Sequence, residues 1–247
     1  MRQGWEAEAQ NWLIFARTPG YDSSHEKTNL PVLRDMLPRP GRRTLDLACG
    51  EGRLSRILAT LGHDVVGADA SPTMVCAAAT HPGAPPVVLA DATGLPFAGA
   101  SFDLVVAYMC LHDIDDIPGA VREAARVLEP AGRLCAAIPH PLNTAGSFQG
   151  KDADAPFVIT GSYLDPAPLR TQASRGGVLL TFHSQHRPLE AYVNALAAAG
   201  LLTETIREVG ASGLAASSDP GERRWQRIPM FLHLRAIKPE VKNPALR

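Results

Sequence analysis

The sequence has almost no excess of charge of either sign, since 24 Lys and Arg against 25 Asp and Glu give a formal net charge of -1. A phosphate backbone or an anionic bilayer would therefore meet no broad electrostatic attraction. This lack predicts a protein that binds neither nucleic acid nor a membrane surface. Hydrophobic residues make up 45% and charged residues 20% of the chain, close to the globular average, so we expect it to fold by itself.

Long apolar runs and closely spaced cysteines are also missing. No segment approaches the roughly 20 apolar residues of a spanning helix. The first ten residues, MRQGWEAEAQ, are acidic where a signal peptide is basic and then apolar. We therefore predict a cytoplasmic location. The four cysteines form no C-x-x-C spacing, which favours reduced thiols over disulfides or a zinc site. They are Cys49, Cys76, Cys110 and Cys135.

Short apolar runs alternate with helical patterns between Arg43 and Pro139. Such alternation is typical of a parallel sheet with helices on both faces. The pattern resumes with LEAYVNALAAAG as a helix, followed by LTETIREV and IPMFLHLRAI as strands. The sequence therefore predicts an α/β fold with a mostly parallel sheet of about seven strands.

Two segments stand outside this alternation. Residues 1–40 read as two helices that flank the sheet. Residues 141–187 are rich in Pro, Gly and Asp around one possible strand, GVLLTF, and insertions of this length are usually functional. We expect this insertion to form a substrate cap over the strand ends. A single domain would then span residues 1–238, with a flexible tail at 239–247.

A glycine turn follows the first predicted strand, in the segment LDLACGEGRL at residues 45–54. Backbone N–H groups at the start of the next helix can face an anion, and glycine lets a ligand approach the backbone. Asp69 ends the next strand, 19 residues after Gly50, where its carboxylate can accept both hydroxyls of a ribose. Asp91 ends the strand after that. The spacing predicts a nucleoside site at the strand ends.

This order resembles the class I S-adenosylmethionine-dependent methyltransferases, in particular the small-molecule group of ubiquinone/menaquinone-type, methyltransferase type 11-like enzymes. The resemblance covers roughly residues 43–139 and continues more weakly to residue 238. It implies a Rossmann-like sheet with a reversed last strand, S-adenosylmethionine as the cofactor, and methyl transfer to a small-molecule acceptor by in-line displacement.

The resemblance also implies which residues hold the cofactor. The glycine loop would hold the methionine part, Asp69 the ribose, and Asp91 the exocyclic amine of the adenine. Ala48 stands where the family has its first glycine. From their polar ends, Arg17 and Tyr21 are further candidates for the methionine carboxylate. The complete set is Arg17, Tyr21, Asp46, Ala48, Cys49, Gly50, Gly52, Asp69, Ala70, Ser71, Met74, Asp91, Ala92 and Met109.

Other functions compete with this prediction. In an NAD(P)-dependent oxidoreductase the fingerprint would be Gly50-x-Gly52-x-x-Ser55, but Ser55 stands where a third Gly or Ala is expected. The carboxylates of Asp46 and Asp91 would also partly repel a pyrophosphate. A protein of the same fold that binds the cofactor without transferring a methyl group, as a cyclase or as a binding module, stays open.

Catalytic candidates come from the predicted strand ends. Histidine is the usual base near neutral pH, and His112 and His140 follow the fourth and fifth strands. His186 precedes the helix after the insertion, and we prefer it to His183. The acidic run that includes Asp113 could suggest a magnesium site, but an acidic loop before a helix N-terminus explains it more simply, and we predict no metal.

Overall fold

The computed structural model describes residues 1–210 and 223–240, and a seven-stranded sheet lies at its centre. The strands of this sheet are β1 (Thr44–Leu47), β2 (Val65–Asp69), β3 (Val87–Leu89), β4 (Phe102–Tyr108), β5 (Leu128–Pro139), β10 (Leu202–Val209) and β11 (Phe231–Ile237). Four shorter strands, β6 (Gly146–Phe148), β7 (Phe157–Ile159), β8 (Ala167–Arg175) and β9 (Val178–His186), lie between β5 and β10 in the chain.

The strand order is β10-β11-β5-β4-β1-β2-β3. The strands from β5 to β3 are parallel, whereas β11 is antiparallel to both of its neighbours. This arrangement confirms the predicted Rossmann-like, seven-stranded and mostly parallel sheet with a reversed last strand. The carboxyl ends of β1, β2 and β4 meet at one edge, as parallel strands must.

Helices cover both faces of the sheet. They are α1 (Arg2–Arg17), α2 (Leu30–Met36), α3 (Arg53–Thr60), α4 (Pro72–Ala79), α5 (Ile117–Val127), α6 (Pro141–Ala145) and α7 (Leu189–Ala198). The larger core packs α5 and α7 on one face of the sheet, and the smaller packs α2 and α3 on the other. Leu104 and Val105 are consecutive residues of β4 and are both buried, the first in the smaller core and the second in the larger, so this central strand is apolar on both faces as the sequence pattern predicts.

The N-terminal flank contains the two expected helices, with one difference. Five residues, His25–Asn29, form a π-helix that runs directly into α2. Helical periodicity alone does not reveal a π-turn, since it differs from an α-turn only in its i→i+5 hydrogen bonds. The π-turn buries His25, Thr28 and Asn29.

The insertion at 141–187 folds into α6 and two hairpins, β6–β7 and β8–β9. The expected strand GVLLTF is part of β9, which extends further to His186. The hairpin β8–β9 packs on α1, where the indole N–H of Trp5 donates to the carbonyl oxygen of His183 at 2.9 Å. It also contacts the short turn Leu111–Asp113 after β4. The insertion thus reaches the carboxyl edge of the sheet, and its role as a substrate cap stays a prediction.

Most of the expected tail, residues 241–247, lies outside the described residues, as does the loop 211–222. Within 1–210 and 223–240, no helix combines the length and the apolar character needed to cross a membrane. All four cysteines are unpaired.

Candidate active site

A cavity of about 450 Å³ opens at the carboxyl ends of β1, β2 and β4. Its floor is formed by the loops that follow these strands, and its roof by α1 and by Phe182 of β9. Of the predicted cofactor residues, all but Arg17, Tyr21 and Gly52 line the cavity. Residues that were predicted separately at different strand ends therefore lie in one cavity.

The glycine turn after β1 places backbone against the cavity. Ala48, Gly50 and Gly52 have φ angles of 53°, 58° and 79°, all left-handed. A Cβ on Gly50 would have no atom nearer than the indole nitrogen of Trp12 at 3.8 Å, so this glycine faces open space. A Cβ on Gly52 would instead meet Ala78 at 3.2 Å, so Gly52 serves the packing of α3 on α4.

The carboxylate of Asp69 ends β2 and lies behind the glycine turn. One oxygen accepts the backbone N–H of Gly50 at 2.8 Å, and the other accepts that of Ser71 at 2.8 Å. Burial raises the pKa of Asp69, and these backbone hydrogen bonds oppose that rise. Each oxygen keeps a further lone pair, so the side chain can still accept hydrogen bonds from a ligand.

Asp91 and two apolar side chains form the far end of the cavity. One Asp91 oxygen accepts from the N–H and the hydroxyl of Thr93, at 2.9 and 2.7 Å. These hydrogen bonds lower the pKa of Asp91, so the group is a carboxylate near neutral pH. Its second oxygen lies 3.8 Å from the guanidinium of Arg2. Ala92 and Met74 are buried beside it, which suits a flat heteroaromatic ring with a donor at its edge.

Asp46 differs from the other carboxylates because it is completely buried in β1. Its side chain accepts the Ser55 hydroxyl at 2.6 Å. Burial raises its pKa to about 7, with a smaller contribution from the charge of Asp69. Burial also raises the pKa of the neighbouring Cys49 thiol. Both residues line the cavity, and Cys49 contributes a neutral thiol to it.

The two predicted donor contacts on the flank are engaged elsewhere. Arg17 donates to the buried carboxylate of Glu51 at 2.9 Å and to the carbonyl of Ala77 at 3.0 Å. Tyr21 packs edge-on against Phe15. Neither lines the cavity. Arg17 is held by its partners at Glu51 and Ala77, and the Tyr21 hydroxyl lies beside Gly176 at the turn between β8 and β9.

Arg53 and Asp22 occupy the wall where Arg17 and Tyr21 were expected. Arg53 begins α3, and its guanidinium meets the Asp22 carboxylate at 2.7 Å. The Cζ atom of Arg53 lies 5.8 Å from the ring centre of Trp12, within the range of a cation–π contact. The sequence signal for Arg53 was its place directly after the glycine turn, whereas nothing in the sequence distinguished Asp22.

Of the three histidines proposed as bases, only His112 lines the cavity. Its Nδ1 atom is buried without a hydrogen-bond partner, and its Nε2 lies 3.3 Å from the carboxylate of Asp113. Burial lowers the pKa of His112 to about 3, and the charge of Arg187 contributes less. Arg187 also donates to the carbonyl oxygen of Ile114 at 2.8 Å and so fixes the loop that carries the ring.

His140 and His186 do not reach the cavity, contrary to the prediction. His140 caps α6 by accepting the N–H of Leu142, and its other ring nitrogen contacts Glu208 at 3.0 Å. The two ring nitrogens of His186 contact the Thr144 hydroxyl at 2.7 Å and the carbonyl of Tyr163 at 2.9 Å. Both rings thus make their hydrogen bonds to residues of the insertion and of β10, outside the cavity.

The structure adds an aromatic wall and a polar pair to the predicted site. Trp5, Trp12 and Phe182 meet in edge-on contacts with ring centres 5.9 to 6.2 Å apart, and all three line the cavity. His25 and Tyr108 line it from the flank and from the end of β4. The position of His25 depends on the π-turn, whereas Tyr108 is the last residue of β4. The described residues contain no group of three or more side chains suited to a metal ion.

Comparison with known proteins shows which kind of domain contains this cavity. Residues 45–136 match the family model described as a methyltransferase domain. An S-adenosylmethionine-dependent methyltransferase structure from Mesorhizobium loti aligns with a TM-score of 0.68 and 28% identity, over 84% of this chain and 96% of that one. Residues 45–136 are therefore a methyltransferase domain similar to the class I S-adenosylmethionine-dependent methyltransferases. The structural alignment with the Mesorhizobium loti protein thus extends beyond the glycine turn to nearly the whole length of that protein.

The curated proteins that the chain resembles include quinone-type methyltransferases. Demethylmenaquinone methyltransferase from Beutenbergia cavernae is 42% identical over 99 residues, 40% of this chain and 41% of the relative. Nocamycin O-methyltransferase from Saccharothrix syringae is 34% identical over 142 residues, 52% of this chain and 51% of that protein. The alignments thus span about two fifths to one half of these relatives.

S-adenosylmethionine is the cofactor of the domain, and the residues at the cavity fit it. The open space over Gly50 admits a ligand against the backbone. Free lone pairs on Asp69 match ribose hydroxyls, and the ionised Asp91 beside two apolar side chains matches the adenine with its amine.

Proposed function

We propose that the protein transfers the methyl group of S-adenosylmethionine to a small, flat, unsaturated molecule that carries an ionisable hydroxyl, of the quinol kind. One observation carries the proposal: the glycine turn, Asp69 and Asp91 share a single cavity with the aromatic wall of Trp5, Trp12 and Phe182. Aromatic side chains supply large, flat contact areas for unsaturated rings. The names of the menaquinone-type relatives agree with this acceptor class.

The donor half of the cavity has defined roles in this proposal. Asp69 accepts hydrogen bonds from the ribose, and Asp91 accepts one from the adenine amine. Met74 and Ala92 pack on the faces of the adenine. When bound, the cofactor supplies a methyl group on a positively charged sulfur, which a nucleophile can displace. The chain therefore has to hold the acceptor in line with that bond, and such alignment can supply about 7–11 kcal/mol of the barrier.

His112 is the base in this proposal. Its unpartnered Nδ1 would accept the proton of the acceptor hydroxyl, which leaves the acceptor's oxygen or the adjoining ring carbon more nucleophilic. Burial lowers the pKa of His112 to about 3, so the ring is uncharged at neutral pH before the acceptor binds. A bond then forms from the acceptor to the methyl carbon as the carbon–sulfur bond breaks. The electron pair goes to sulfur, and the thioether product is neutral at that atom.

Near-zero net charge supports a further part of the proposal, a small molecule as the partner instead of nucleic acid. A cytoplasmic place of work is also part of the proposal. The unpaired state of all four cysteines agrees with a reducing compartment.

Turnover with a labelled methyl donor tests the proposed reaction. Purified protein would be incubated with S-adenosylmethionine and a reduced, ring-unmethylated naphthoquinol, and products would be identified by mass and by label. We expect methylated quinol and S-adenosylhomocysteine in equal amounts, and no transfer to the same ring system without hydroxyls. A protein that binds S-adenosylhomocysteine but methylates no hydroxylated ring would be a binding module or would catalyse a different reaction.

A further inference from the structure

The proposed reaction leaves one polar pair in the cavity unused. The Tyr108 hydroxyl lies 2.9 Å from Nδ1 of His25, and the two rings meet edge-on with centres 5.5 Å apart. Tyr108 is the last residue of β4, and His25 is the first of the π-helix. Both line the same cavity as the aromatic wall.

The surrounding structure holds this pair in a fixed orientation. Four residues after His25, the Asn29 amide contacts the Met109 sulfur at 3.7 Å and the ring nitrogen Nε2 of His233 at 3.1 Å. The π-helix is therefore attached to the end of β4 at two consecutive residues, Tyr108 and Met109. Such π-turns occur frequently at functional sites. Met109 itself has a φ angle of 54°, a strained conformation for a residue with a side chain.

Both members of the pair are uncharged near neutral pH. Burial lowers the pKa of His25 to about 4, and the charge of Arg53 adds to this effect while Asp22 opposes it. Burial likewise raises the pKa of the Tyr108 phenol. A hydroxyl has one donor and two acceptor positions, and His25 occupies one of them. Whichever way this bond runs, at least one position of the Tyr108 hydroxyl is left for a hydrogen bond with a ligand in the cavity.

Tyr108 and His112 approach the cavity from different sides of the sheet. The side chain of Tyr108 packs on the smaller core beneath α2 and α3, whereas the turn that carries His112 contacts β9 and α5. A flat acceptor between them would meet one polar group on each side. Two such contacts would fix the rotation of the acceptor within its own plane, which packing on the aromatic wall alone leaves free.

We propose that the Tyr108 hydroxyl, oriented by His25, is the hydrogen-bond partner of an oxygen atom on the acceptor and selects for oxygen-bearing rings. This inference rests on the proposed function, because it requires that the acceptor binds in this cavity. Tyr108 would be a specificity-determining residue, and His25 would act through it as a positioning residue. Neither group has to take up a proton for this role.

Equilibrium dialysis with a pair of matched probes tests the contact without any reaction. Naphthol and methylnaphthalene have nearly the same shape, and only the first carries a hydroxyl. With S-adenosylhomocysteine at saturation, the wild-type protein should bind naphthol about two- to tenfold more tightly, the value of one net hydrogen bond. Tyr108→Phe should abolish this preference and leave the affinity for methylnaphthalene unchanged. His25→Phe should reduce the preference in part, and the double variant should lose no more than Tyr108→Phe does.

Tyr163→Phe is the matched control, since Tyr163 also uses its phenol in a hydrogen bond but lies outside the cavity lining. It should retain the full preference for naphthol. A preference that persists in Tyr108→Phe, or that is absent from the wild type, overturns the inference. Methyl transfer measured in parallel separates the two proposals: preference without transfer contradicts only the proposed reaction, and transfer without preference contradicts only the Tyr108 contact.

Discussion

The backbone N–H of Gly50 donates a hydrogen bond of 2.8 Å to the carboxylate of Asp69. This bond connects the glycine turn after β1 to the end of β2, so the two parts of the cofactor site are held as one unit. The second Asp69 oxygen accepts the N–H of Ser71. In an Asp69→Asn variant, the NH2 group of the amide would face one of these two backbone N–H groups, so two donors would meet.

We therefore expect Asp69→Asn to weaken S-adenosylhomocysteine binding by about tenfold or more, the value of one charge-assisted hydrogen bond of roughly 1.5–3 kcal/mol. Calorimetric titration measures this, and NADH should give no binding heat with either protein. Asp103→Asn is a matched control, because Asp103 also accepts two backbone N–H groups, from Arg42 and Arg43, outside the cavity. It should lose stability but retain affinity, and equal affinities for Asp69→Asn and the wild type would remove Asp69 from the site.

Ala48 is strained because it has a φ angle of 53° at a turn where glycine is favoured. The left-handed conformation costs a residue with a Cβ about 1–2 kcal/mol, and glycine loses roughly 0.5–1 kcal/mol through its greater freedom when unfolded. Ala48→Gly should raise the free energy of unfolding by about 0.5–1 kcal/mol in urea titrations.

Two further alanines provide the controls for Ala48. Ala100 also has a positive φ, 54°, and lies outside the cavity lining, so Ala100→Gly should stabilise the protein similarly. Ala98 is exposed and is not among the residues with positive φ, so Ala98→Gly should not stabilise it. Equal effects at all three positions would show that backbone strain is not the cause.

Asp46 should make stability depend on pH in the direction opposite to an ordinary paired carboxylate. Its pKa is about 7 in the folded protein and starts from 3.8, so the folded state binds more protons between these values. Its contribution to stability is therefore fully present below about pH 4 and is lost as pH rises toward 7. Asp46→Asn should become more stable relative to the wild type over this range, by up to about 1.4 kcal/mol per pH unit. Urea titrations at several pH values measure the difference, and a constant difference contradicts the burial argument.

The three histidines should separate in a turnover assay with a methyl acceptor. His112→Ala should lower kcat by roughly 10²–10⁴ because it removes the proposed base, with little change in S-adenosylhomocysteine affinity. His140→Ala removes a helix cap, so it should cost about 1 kcal/mol of stability and leave kcat within about threefold. Similar kcat values for His112→Ala and the wild type would leave alignment as the main source of catalysis.

The sequence by itself determined the architecture and the donor half of the site. Apolar strands alternating with helices allow little besides a parallel sheet, and parallel strands place their carboxyl ends at one edge. Gly50, Asp69 and Asp91 each follow a strand directly, so their convergence needed no knowledge of long-range packing. The antiparallel direction of β11 was predicted only from the family resemblance. A strand's own residue pattern does not show whether it runs parallel or antiparallel to its neighbours.

Tertiary structure decided the acceptor half. The approach of α1 and β9 to each other, which brings Trp5 to His183 across a separation of 178 positions, created the aromatic wall. A π-turn directed His25 to Tyr108, while His140 and His186 make their hydrogen bonds outside the cavity. Arg17 was the predicted partner for the cofactor's carboxylate, but it pairs with Glu51, and Arg53 lines the cavity instead. These side-chain positions depend on which segments distant in sequence pack together and on which hydrogen-bond partners each side chain finds. Neither can be read from the residues next to it in the sequence.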